Sequence, residues 1–123
     1  MQFRGIELAA LIKMAFNIAA ADGKFVDEEK AAIHFGMAEF GLDKDGITAT
    51  LLIAKEMDAT AALATLSSMT TDQKKYATGF LAAVIAADGD VDPAEIKMWQ
   101  LICTLASFPT MNFQEALKFW TSH

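Results

Sequence analysis

The chain has 123 residues, 54% of them hydrophobic and 21% charged, which suffices for one compact core and is too short for two. Its formal net charge of −6 has the wrong sign for covering phosphates or an anionic membrane surface, so nucleic acid is not expected as a partner. Cys103 is the only cysteine; an intramolecular disulfide and a cysteine-built zinc site are excluded, and a reducing, cytoplasmic setting is the expectation.

Alanine abounds and only two prolines occur, a composition that favours helix because alanine loses no side-chain rotamer freedom there. The spacing predicts an all-α fold of about seven helices in a single domain over residues 1–123. Ile6, Leu8, Leu11, Ile12, Ala15, Phe16, Ile18 and Ala19 recur at helical spacing and precede Gly23, which defines the first helix. The same stretch resembles a signal peptide only superficially, since Glu7, Lys13 and Asn17 interrupt it. The acids Asp27, Glu28 and Glu29 open a second helix that closes on Gly41. The run from Gly41 to Gly46 reads as turn, followed by a third helix from Ile47 to Met57 with Leu51 and Leu52 inward.

Asp58 caps a short fourth helix to about Ser68. Thr70 and Gln73 have the capping-box spacing and open a central fifth helix carrying Phe80, Leu81, Val84 and Ile85. Asp92, Pro93 and Glu95 stand as N-cap, first helical residue and box partner of a sixth helix to about Ala106. Asn112 and Glu115 begin a terminal helix with a stripe of Phe113, Ala116, Leu117 and Trp120. The most apolar window, Phe80 to Ala87, falls far short of the roughly 20 residues needed to cross a bilayer.

The segment Ala20-Ala21-Asp22-Gly23 recurs as Ala86-Ala87-Asp88-Gly89, a shift of 66 residues. In that register Phe25 matches Val91, Glu29 matches Glu95 and Ile33 matches Trp99. Each copy reads as a helix, an Asp-Gly corner and a second helix with Glu in its first turn. An aspartate near a helix C-terminus opposes the macrodipole, so something at each corner compensates. One explanation is an Asx turn, in which the carboxylate accepts backbone N–H groups of the loop. The other is a bound cation: helical side chains lean toward the N-terminus, which would bring Glu29 toward Asp22 and Glu95 toward Asp88. Capping accounts for Glu95, which completes a box with Asp92, but not for Glu29, whose cap position is Val26.

Two Ala-Asp-Gly corners, each followed by an apolar residue and a glutamate on an all-helical scaffold, resemble the TerB-like family named for tellurite-resistance proteins. They are also similar to the N-terminal region of the DjlA co-chaperones. The resemblance runs from about Ile6 to Ala106 and is closer in the second copy. It implies a seven-helix domain in which Asp22, Glu29, Asp88 and Glu95 chelate a divalent cation, and an association with stress-response assemblies near the membrane. Asp90 and Asp92 are further candidate ligands; the first copy has Lys24 and Val26 there. The chain has no His-Pro-Asp triplet, so a J-domain role is not implied.

Asp88, Asp90 and Asp92 begin like an EF-hand loop, but Pro93 and Trp99 occupy the positions that need glycine and glutamate. Oxygen-only ligands favour calcium or magnesium over zinc. Neither histidine has the Glu-x-x-His spacing of a di-iron site, and no nucleophile motif or phosphate loop occurs. The expectation is therefore a non-enzymatic, cytoplasmic binding or scaffold module with a protein partner and a divalent-cation site at the corners. The alternative is a metal-free interaction domain whose acidic corners meet a basic partner. Phe119, off the stripe of the terminal helix, is the candidate partner-binding residue.

Overall fold

The structure, a computed structural model, describes residues 2–122. The described residues form seven helices and no strand: α1 (Gly5–Ala19), α2 (Asp27–Glu39), α3 (Lys44–Glu56), α4 (Ala59–Ser67), α5 (Thr71–Ala86), α6 (Pro93–Leu105) and α7 (Phe113–Ser122). The fold is all-α, as the alanine content and the 3.6-residue periodicity predict.

Helices α1 and α5 form the centre. Leu11, Ile12, Met14, Ile18, Phe80, Leu81 and Ile85 are buried on them, and both are apolar around most of their circumference, the pattern of a helix enclosed by others. Helix α1 packs against α3, α4, α5 and α6, whereas α5 packs against α7, α2 and α6 as well as α1. With α1, α2 and α3 set against α5, α6 and α7, each central helix touches its own half's third helix and the other half's second. The helix α4 stands outside this correspondence. Small residues allow close approach at two crossings: a Cβ on Gly36 would collide with the ring of Phe80, and one on Gly79 would lie 2.9 Å from the Ala116 carbonyl oxygen.

The two halves repeat their backbone bonds at a shift of 66. Helix α2 ends with Leu42 N–H on Met37 O and Gly41 at φ 94°; α6 ends with Phe108 N–H on Cys103 O and Ser107 at φ 56°. Both are Schellman endings with a left-handed residue after the cap. The N3 residues of α1 and α5 meet directly: the Gln73 amide donates to Glu7 Oε1 at 3.1 Å and to Gln2 O at 2.8 Å. Each also reaches its own cap, Glu7 accepting from Arg4 N–H and Gln73 from Thr70 N–H. A contact between equivalent positions is what a two-fold relation between the halves gives near its axis.

Two details differ from the sequence expectation. Helix α3 starts at Lys44 because Asp43 caps it, accepting from Gly46 N–H at 2.8 Å; the acids and glycines read as turn chemistry serve as its first turn. Leu52, expected inward, is 62% exposed, since α3 buries the face holding Thr50 and Ala54 instead.

Candidate carboxylate site

Both Asp-Gly corners have the same geometry. Gly23 at φ 80° donates to Ala20 O, and Gly89 at φ 79° donates to Ala86 O, each at 3.0 Å. Asp22 Oδ1 accepts from Lys24 N–H at 2.8 Å, and Asp88 Oδ1 from Asp90 N–H at 3.0 Å. These are Asx turns; the hydrogen bond offsets the poor placement of an aspartate after a helix C-terminus.

The glutamates that follow play different parts from those expected. Glu29 is the one engaged in capping: its Oε1 accepts from Val26 N–H at 3.2 Å, a bond that needs nothing from the valine side chain. At the other corner Asp92 caps α6 by itself, accepting from Ala94 N–H at 2.7 Å. Glu95 is turned inward and shares a hydrogen bond with Glu29. Each glutamate therefore meets its counterpart in the other half, and Asp88 is not among the groups that act on Glu95.

This pair lies inside the core, Glu29 being 2% and Glu95 1% exposed. Burial, then the hydrogen bond to Glu29, then the charges of Glu29, Asp22 and Asp92 push the Glu95 carboxyl up to about 9. Two carboxylates held together away from water cannot both ionise, so one proton stays between them. Glu95 Oε2 is buried and receives no hydrogen bond from an N–H or hydroxyl group.

Of the predicted ligands, Glu29 and Glu95 come together, with the charges of Asp22 and Asp92 bearing on Glu95. Asp88 and Asp90 lie exposed on the outside of the second corner. Among the described residues no group of three or more His, Cys, Asp or Glu side chains is arranged to hold a metal ion. The oxygen donors, the buried Oε2 among them, suit a hard cation in kind, but the four-residue set that the resemblance implies is not assembled.

The remaining candidates are quickly placed. Phe119 is half-buried and packs edge-on against Tyr76 with ring centroids 5.0 Å apart. Burial pushes the Cys103 thiol up to about 12, which leaves it protonated and a poor nucleophile. Sequence reasoning missed the Glu7–Gln73 contact and the inward turn of both glutamates. Glu29 and Glu95 each stand four residues before a buried side chain, Ile33 and Trp99, so the helical period already puts them on an inward face.

No family model matches the chain, and no curated protein matches it. Among solved structures it is similar to a crystal structure of a protein of unknown function from Porphyromonas gingivalis. The two are 36% identical with a TM-score of 0.89, over 99% of this chain and 92% of that one. The chain belongs to the same family as that protein. The likeness spans both halves of this chain, so the two proteins share the fold. No helix among the described residues is long and apolar enough to cross a membrane.

Proposed function

We propose that the chain is a non-enzymatic, cytoplasmic, TerB-like binding module in which the Glu29–Glu95 pair joins the two halves around a shared proton. The observation that carries this reading is the burial of both glutamates against each other. A pair closed off from water offers no reaction to a substrate, and the protonated Cys103 thiol offers no nucleophile. The second corner presents the exposed Asp88 and Asp90 outward, while at the first the exposed acids Asp27 and Glu28 stand beside the exposed Lys24 and Lys30. A basic protein surface is the partner that the charge of the second corner suits.

A second reading is favoured by the buried Glu95 Oε2, which no N–H or hydroxyl group reaches. A calcium or magnesium ion would take the place of the shared proton, held by Glu29 and Glu95 with Asp22 and Asp92 turned toward it. Melting of chelator-stripped protein during titration with Ca²⁺ and Mg²⁺, for the wild type and Glu95→Gln, separates the two. Unchanged melting of both proteins supports the metal-free module. A saturable rise in the wild type, about 2.7 kcal/mol at 100 times the dissociation constant, lost in the variant, overturns it in favour of the cation.

A further inference from the structure

A pocket of about 420 Å³ opens between α1, α2 and α3. It falls within the roughly 300–1,000 Å³ typical of small-molecule sites. Phe16, Phe25, Ile33 and Leu51 line its apolar interior, with the Phe16 and Phe25 rings edge to face at 5.8 Å. Its polar lining comes from Lys30 and His34, one turn apart on α2, and from Lys55 in the last turn of α3. No acidic side chain lines it. On a chain of net charge −6, that is a local reversal of sign.

The lysines have little else to hold. Lys30 lies 5.4 Å from the centre of the Phe25 ring and 3.8 Å from Asp27, whose side chain is 97% exposed, a contact of small value in water. Lys55 makes no ion pair among the described residues.

The 66-residue correspondence sets this pocket apart from the matching place in the other half. At the matching places in the other half, Phe16 and Phe25 become Ala82 and Val91, and Lys30, His34 and Lys55 become Ile96, Gln100 and Thr121. Ile33 becomes Trp99, whose indole turns inward, donates to Thr78 O at 3.2 Å and packs on Phe113. The aromatic walls and all three basic groups are thus confined to one half of a repeated frame.

We propose that the pocket binds a small amphiphilic carboxylate, its alkyl tail between Phe16, Phe25, Ile33 and Leu51 and its carboxylate at Lys30 and Lys55. The lining matches both ends of such a molecule: apolar burial drives binding of the tail, and charge-assisted hydrogen bonds from the lysines fix the head.

Calorimetry and NMR chemical-shift mapping with sodium decanoate test this, with decanol and decyltrimethylammonium as probes of the same tail and different heads. Decanoate is expected to bind one to one, to shift Phe25 and Leu51, and to weaken with added salt. Decanol and the cation are expected to bind at least about tenfold more weakly, about 1.4 kcal/mol. Lys30→Glu/Lys55→Glu, two exposed replacements whose folding is checked by melting, should weaken decanoate by at least the same factor. Absence of saturable decanoate binding, equal binding of the cation, or undiminished binding by the folded double variant overturns the proposal.

Discussion

The side chains of Glu29 and Glu95 hydrogen-bond to each other in the core although 66 residues separate them, the same separation that joins Glu7 to Gln73. The two contacts are two solutions to one problem. Where equivalent helix-start residues meet near the two-fold relation, an amide answers the carboxylate in one pair and a proton must do so in the other.

The proton makes stability depend on pH. With its carboxyl raised to about 9 in the fold and near 4.3 in the unfolded chain, Glu95 keeps a proton that the unfolded state has released between those values. The native state then binds more protons, so stability falls as pH rises across that window, by at most about 1.4 kcal/mol per unit for one group. Below the unfolded value both states are protonated and the penalty vanishes. Urea denaturation in chelator at pH 5.5 and pH 8 should show the wild type weaker at pH 8, with Glu95→Gln flattening the difference. Equal slopes for the two proteins would contradict the shared proton.

The second pair predicts the outcome of the reverse substitution. Gln73→Glu would place a carboxylate against the buried Glu7 and delete the amide that donates to Glu7 Oε1 and Gln2 O. A lost hydrogen bond to a charged group costs roughly 1.5–3 kcal/mol, and like charge adds to it. The variant should melt well below the wild type at neutral pH and recover part of the loss at pH 5, because acid weakens the like-charge repulsion. Thermal melts at the two pH values check this.

The matched helix endings differ in one residue that local physics disfavours. Gly41 occupies the left-handed position after α2, while Ser107 holds the same position after α6 at φ 56°. A side chain there costs about 1–2 kcal/mol. Ser107→Gly should therefore stabilise the protein by about 1 kcal/mol, and Gly41→Ala should destabilise it by a similar amount. Denaturant midpoints with unchanged m-values are the measurement.

Much of this architecture was legible because it is written locally. Helix starts at Asp58, Thr70, Asp92 and Asn112 are side-chain capping events, and the structure makes each of those bonds. The repeated corners were legible for the same reason. The meeting of Glu29 with Glu95 was not, since it depends on how α2 and α6 settle across α1 and α5, and spacing along the chain says nothing about where a two-fold relation passes. The start of α3 was misplaced because Asp43 reads equally as turn or cap. The basic pocket escaped because its residues come from three helices and each, taken alone, is ordinary.

Close packing of α5 on α7 sets a last test, in which helix propensity and tertiary contact pull in opposite directions. Replacing Gly79 by alanine would favour the helix by about 1 kcal/mol, yet the new Cβ would lie 2.9 Å from the Ala116 carbonyl oxygen and 3.0 Å from Trp120 Cβ. Those neighbours belong to the main chain and base of α7, so the helix itself must shift and disturb the Phe40, Phe80 and Trp120 rings packed at 5.5–5.7 Å. Overpacking of this kind costs about 1–3 kcal/mol, and contact should prevail. Gly5, whose Cβ would meet nothing within 4 Å, provides the comparison: Gly5→Ala should leave the melting temperature unchanged or slightly raised while Gly79→Ala lowers it by several degrees. A Gly79→Ala protein as stable as Gly5→Ala would show that α7 moves aside without cost.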